Sequence, residues 1–194
     1  MARLCDAVSQ SKSDGFELAF LISLGTGARK MEIWKLLWNQ VDVETGLITL
    51  LKTKNGERCV LKVSGNTLNE LKKRKLANPP GFDEDCDYVF KGPKHRSNST
   101  KYHNFEGAWI NARREAGLEQ KDHTDLHFVY HDLRHSAATM LVRKGYSLKQ
   151  VGAVLGHRTQ SSTERYTHLI TADVVQAFDD LGCDVDAVLR ENVK

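Results

Sequence analysis

The chain has no apolar run approaching the roughly 20 residues that a membrane-crossing helix needs, so a helical membrane protein is not expected. Its opening, Met1-Ala2-Arg3-Leu4-Cys5-Asp6, lacks the layout of a secretory signal. The four cysteines, Cys5, Cys59, Cys86 and Cys183, are scattered and form no CxxC pair. A reduced, cytosolic (cytoplasmic) chain fits that usage better than a disulfide scaffold. Outside one acidic loop, clustered carboxylates, which a metal-dependent nuclease would want, are missing, as are internal repeats and low-complexity segments. The formal charge of +3 is only mildly basic; it permits a nucleic-acid partner without arguing for one. What is present is ordinary: 194 residues with 40% apolar and 27% charged content. That is one domain, or one and a small appendage, able to bury a real core.

Residues 1–14 are polar and short and read as a loose leader or the end of a linker. Phe16 to Leu24 is a compact apolar helix that stops at Gly25-Thr26-Gly27, where two glycines permit a tight turn. Arg29 follows at once, at the mouth of a helix over Lys30 to Gln40 in which Met31, Ile33, Trp34, Leu37 and Trp38 recur at near-helical spacing. Alone, Arg29 is a solvated arginine at a helix start; Glu32, one turn on, could hold it in place. Val41 to Gly46 reads as a turn, and Leu47–Leu51 and Arg58–Val63 as paired strands. The Asn55-Gly56 between them is a strong hairpin signal that puts Lys54 at the tip.

Ser64 caps the next helix, with Leu68, Leu71 and Leu76 inward and the basic cluster Lys72-Lys73-Arg74-Lys75 at its end. After Pro79-Pro80-Gly81 and an acidic loop, Tyr88-Val89-Phe90 is a short buried extended segment. The following loop brings Lys91, Lys94, Arg96 and Lys101 with no acids, which suits contact with a phosphate backbone. Asn104 caps a helix through Ala116 that turns Phe105, Trp109 and Ile110 inward. A helix from about Asp132 carries Leu133, Ala137, Met140 and Leu141 on one face. Ser147 caps Leu148–Leu155, closed by Gly156, and further helices are expected over 159–169, bearing Tyr166, and from Thr171. The fold class is therefore mainly α with a small antiparallel β-sheet, α+β.

Taken together these residues resemble the catalytic domain of the tyrosine recombinases, the phage integrase family. Thr26-Gly27-Ala28-Arg29-Lys30-Met31-Glu32-Ile33 looks like that family's TGxRxxE(L/I) box. The stretch from Trp38 through Gly46-Leu47-Ile48 to Thr53-Lys54-Asn55-Gly56 resembles its sheet with a lysine in the hairpin. His131-Asp132-Leu133-Arg134-His135 resembles its HxLRH box, and Leu155-Gly156-His157 and Tyr166 complete the order. The likeness covers roughly residues 16–182, with 183–194 as a C-terminal tail. The single looser position is Ala28, where the family often has a larger apolar residue. The family's separate DNA-clamping (core-binding) domain has no counterpart in this chain, which leads us to expect a fragment or an excised domain.

The resemblance implies six catalytic residues: Arg29, Lys54, His131, Arg134, His157 and the nucleophile Tyr166. The chemistry supports those types. A phosphodiester under attack gains negative charge on its non-bridging oxygens, and arginines bind such oxygens in forked geometry without deprotonating. A tyrosine, with an ordinary pKa of about 10, needs a cationic pocket or a base. The leaving 5′-oxygen needs a proton, which suits Lys54 on a hairpin. The histidines can exchange protons with the nucleophile or donate to a phosphate oxygen. By resemblance the product is a 3′-phosphotyrosyl DNA and a free 5′-hydroxyl, formed without cofactor, metal or ATP because the ester conserves the bond energy. The expected partners are double-stranded DNA and further copies of the chain, four on DNA and one in isolation, with room for accessory DNA-bending proteins.

Three other readings stand beside this one. His123, His127, His131 and His135 are spaced by four and on one helix would make a metal stripe, but the intervening Thr124-Asp125-Leu126 and a cap at Asp132 argue against a continuous helix. A non-catalytic DNA-binding module would be marked by a lost catalytic residue, and all six are present. A type IB topoisomerase would use similar chemistry to relax supercoils.

Overall fold

The computed structural model describes residues 1–50, 59–63, 65–77, 87–92, 102–118 and 128–156. They fall in two compact units, divided between Ala137 and Ala138. The first unit is organised on the helix α2 (Phe16–Thr26). Its apolar residues occupy every face, the pattern of a helix surrounded by protein, and Phe16, Ala19, Phe20 and Ile22 are fully buried. The hydroxyls it carries inside are satisfied by the helix itself: Ser23 Oγ donates to Ala19 O at 2.8 Å and Thr26 Oγ1 to Ile22 O at 2.7 Å.

The first fourteen residues are not a loose leader. Ala2–Ser9 form a helix, α1, with Leu4, Ala7 and Val8 buried. It packs against α5 (Glu106–Glu115). Spacings of three and four put these three residues on one stripe, which a polar average over the segment hides. Deeper in the unit, Phe105 gathers four rings: those of Phe16, Trp34 and Phe90, each at a centroid distance of 5.6 Å, and that of His103, stacked at 4.6 Å.

After α2 the expected long helix is cut short. α3 covers only Lys30–Trp34, and a single 3-10 turn follows at Trp38–Gln40. The reason is non-local. Leu36 O accepts from Val89 N at 2.8 Å and Trp38 N donates to Asp87 O at 3.0 Å, so this backbone extends to pair with 87–89 instead of continuing as helix. Val41–Asp42, expected as turn, is a short strand β1. It pairs antiparallel with β2 (Leu47–Leu50), which pairs with β3 (Cys59–Lys62) in the register Leu47↔Lys62 to Leu50↔Cys59. Gly46, at φ +72, makes the close turn between β1 and β2; a Cβ there would lie 2.3 Å from Val63 O.

On α4 (Gly65–Ala77), Leu71 is buried but Leu76 is 83% exposed, against expectation. The positions three and four beyond Leu71 are Arg74 and Lys75, and they cover the core with their stems. The Arg74 guanidinium lies 5.3 Å from the Phe90 ring centre and its Nε donates to Val89 O. α6 (Asp132–Arg143) begins where expected, but Met140 is exposed while Ala138 and Val142 are buried. In the second unit, α7 (Leu148–Leu155) matches expectation at both ends. Ser147 accepts from the Gln150 amide, and Gly156 closes the helix in the left-handed region.

Candidate active site

The C-terminus of α2 sets the first arginine. Gly27 ends the helix with φ +66, a conformation open to glycine. Ala28 N donates to Thr26 Oγ1 at 3.3 Å, and the chain then turns into α3 with Arg29 as its first flanking residue. Glu32, one turn on, holds Arg29 twice: Oε2 accepts from its backbone N–H at 2.8 Å and Oε1 from Nη1 at 2.9 Å. Arg29 keeps 28% of its side chain exposed. The arginine is thus neither loose nor buried, and its fork has a fixed base.

The second arginine arrives from 107 residues away and docks on the same turn. Arg134, only 5% exposed, donates Nη1 to Gly27 O at 2.8 Å. That carbonyl sits at the C-terminal, partially negative end of α2. The carbonyl that receives Arg134 is thus two residues before Arg29. Cys59, at the start of β3, belongs to the same neighbourhood. Burial pushes its thiol up, the Glu32 carboxylate adds to that, and Arg134 and Arg29 pull the other way.

His131 occupies the turn that leads into α6 and is exposed. Its carbonyl accepts the Arg134 amide at 3.0 Å, so histidine and arginine are fixed by one helix start. Asp132 reaches back with Oδ2 to the Val129 amide at 2.6 Å, closing that start. The ring of His135 meets that of His131 edge to face, with centroids 5.2 Å apart. Among the described residues no three His, Cys, Asp or Glu side chains gather as a metal site would require, and His123 and His127 lie outside the described residues.

Of the six expected catalytic residues, the structure brings Arg29, Arg134 and His131 to the ends of α2 and α6. Lys54, His157 and Tyr166 lie outside the described residues. Among the expected DNA contacts, Lys91 is drawn into an ion pair with the buried Asp87 at 2.7 Å. Lys94, Arg96 and Lys101 lie outside the described residues. The carbonyl of Gly27 was not anticipated as a partner of Arg134, since no side-chain signal marks it. A cleft of about 510 Å³ lined by Asp14, Glu17, Glu70, Lys73 and Arg74 lies along the N-terminal half of α2 and contains none of the expected site residues.

A model of the phage integrase family matches residues 1–172. A shufflon-specific DNA recombinase of Escherichia coli is 31% identical over 161 residues, covering 82% of this chain and 36% of that protein. The chain spans about half the length, or less, of the curated relatives it matches. The crystal structure of XerA recombinase has a TM-score of 0.67 at 23% identity, over 92% of this chain and 60% of that one. The catalytic domain of bacteriophage HP1 integrase has a TM-score of 0.62 at 24% identity, over 92% of this chain and 89% of that one. These two likenesses concern the fold. Among the described residues no helix is long and apolar enough to cross a membrane.

Proposed function

The chain belongs to the phage integrase family, and on that premise we propose that it carries the catalytic part of a site-specific DNA recombinase. In this reading it cuts and rejoins strands through a covalent 3′-phosphotyrosine. The observation that supports it most is the convergence on one turn: Arg134 bonded to the Gly27 carbonyl, Arg29 held two residues later by Glu32, and His131 on the helix start that also fixes Arg134.

In the proposed reaction Arg29 and Arg134 bind the non-bridging oxygens of the scissile phosphate as charge builds there. The Tyr166 oxygen attacks phosphorus and the bond to the 5′-oxygen breaks. His131 takes the phenolic proton, Lys54 gives a proton to the leaving 5′-oxygen, and His157 donates to a phosphate oxygen. In the second half a 5′-hydroxyl of a partner strand attacks the phosphotyrosine and Tyr166 leaves with a proton. One ester replaces another at each step, so neither ATP nor a metal is required to balance the reaction.

The proposed substrate is double-stranded DNA, consistent with the relative that is a DNA recombinase. Lys94, Arg96 and Lys101 follow its backbone. Lys91 contributes less, because Asp87 already compensates its charge. Residues 16–182 form the catalytic domain in this reading, with α1 packed onto it. Exchange between two duplexes engages four copies, single in the absence of DNA, and the segment from Thr171, outside the described residues, is expected to pack on a neighbouring copy or to fold back on its own in the isolated chain. Accessory DNA-bending proteins join that assembly, and the setting is the cytoplasm, on the nucleoid. The test is covalent trapping. Incubation with a library of centrally nicked duplexes of randomised sequence gives a protein–DNA adduct that survives denaturation and that Tyr166→Phe abolishes. An adduct formed equally by the Phe variant contradicts the proposal.

A further inference from the structure

Tyr130 stands immediately before His131, and the proposed reaction makes no use of it. It is 5% exposed, with its ring edge to face against Trp34 at 5.4 Å and against Trp109 at 5.0 Å. Packing alone would be served by phenylalanine. A phenolic hydroxyl in such surroundings is costly unless it is bonded, and this one is bonded 107 residues away, to the Oγ of Ser23 at 3.0 Å. Either oxygen can donate in that bond, and both also reach the carbonyl of Ala19, Ser23 Oγ at 2.8 Å and the phenol at 3.4 Å. Burial pushes the Tyr130 phenol up, and the Ser23 hydroxyl and Trp34 indole offset only part of it, so the proton stays in place across the ordinary pH range.

The partner position is informative. Ser23 and Gly27 are one turn apart on α2, and Tyr130 and Arg134 are four residues apart at the start of α6. Tyr130–Ser23 and Arg134–Gly27 are therefore two parallel rungs joining the same two elements. The first is buried and neutral, and the second ends on the arginine itself. The carbonyls of Tyr130 and His131 also accept the first two amides after Asp132, those of Leu133 at 3.3 Å and Arg134 at 3.0 Å, so rotation at Tyr130 would carry into the helix start.

We infer that the Tyr130 hydroxyl and Ser23 form a positioning rung that fixes the start of α6 on α2 and thereby sets where Arg134 and His131 stand relative to Arg29. The inference rests on the recombinase reading for its catalytic consequence, though not for its geometry. Tyr130 and Ser23 are positioning residues; neither reaches substrate. Because a displacement of about 1 Å in a site can cost about 100-fold in rate, loss of one of two rungs should cost about tenfold.

The test uses the full chain as Tyr130→Phe, Ser23→Ala and the double variant, with the trapped nicked duplexes as probe. Each single variant is expected to form the covalent adduct about tenfold more slowly while binding the same duplex within about twofold of the parent. The double variant should be no slower than Tyr130→Phe, because Ser23→Ala removes a bond that Tyr130→Phe has already removed. Parental rates in the single variants, or losses that multiply in the double, overturn the proposal. Hydrogen exchange of the Leu133 and Arg134 amides gives a second reading independent of chemistry. About tenfold faster exchange in Tyr130→Phe, with α7 amides unchanged, supports the rung even if the parent traps no duplex, a result that would count against the recombinase reading alone. Unchanged exchange at both amides overturns the rung.

Discussion

Glu32→Gln isolates what holds Arg29. The carboxylate divides its two oxygens between the Arg29 amide at 2.8 Å and the Arg29 guanidinium at 2.9 Å. In glutamine one of those oxygens becomes an NH2 group, so one contact sets donor against donor and is lost. If the amide keeps the remaining oxygen, the guanidinium loses its base. The hydrogen bond is worth about 1 kcal/mol. The ion pair is partly exposed, at 28% and 15% of the two side chains, so screening holds its contribution to a few tenths of a kcal/mol. Together about 1–1.5 kcal/mol of stability is lost, or roughly 2–6 °C in melting temperature for a chain of this size. The effect on chemistry should be larger. Losing a transition-state donor outright costs about 100-fold or more, and an arginine present but unheld should cost about tenfold. The assay is the rate of covalent trapping at saturating duplex, with melting followed by circular dichroism. A variant that melts lower by the stated amount yet traps at the parental rate would refute the idea that Glu32 positions Arg29 for chemistry. One that melts as the parent would refute the double bond itself.

Other perturbations test the frame. Leu4→Ala, on α1, should cost about 2–4 kcal/mol in denaturant unfolding because a fully buried side chain is truncated; a change below about 0.5 kcal/mol would restore the loose leader. Asp14→Asn tests the Arg74 fork, which contacts Asp14 at 3.1 and 2.9 Å. The fork holds the Asp14 carboxyl below the usual carboxylate range. A depressed group contributes stability above its unfolded value, near 4, and loses it as pH falls through the folded one. The parent should therefore exceed the variant by a few tenths of a kcal/mol near pH 7, and the two should converge as acidification carries the pH down through the lowered folded value. A gap that persists there would show that the fork acts through shape and not charge.

How much of this could be read from the chain depends on the range of the forces involved. The second unit's α7 was legible at both ends because its signals are local: Ser147 caps, Gly156 stops, and Val151 and Leu155 face inward. The paired strands were legible from the Asn55-Gly56 signal between them, and the place of Arg29 at a helix start from the glycine turn before it. α3 was not, because Leu36 and Trp38 are recruited by residues 87–89, a pairing no local pattern announces. Leu76 was misplaced because Arg74 and Lys75 behave as apolar cover through their stems, and α1 because three buried positions are few among polar neighbours. The Ser23–Tyr130 bond escaped for the same reason as α3. A lone serine in an apolar helix and a tyrosine beside a histidine are unremarkable until the fold joins them.

The most direct test of the central claim is the chemical identity of the adduct. Trapped protein–DNA complex is digested with protease and nuclease and the modified peptide sequenced by mass spectrometry. A peptide spanning Glu164-Arg165-Tyr166-Thr167-His168 with a nucleotide 3′-phosphate on the Tyr166 oxygen, and a free 5′-hydroxyl on the released strand, is the expected result. A nucleotide on any other side chain, or one joined through its 5′-phosphate, would contradict it.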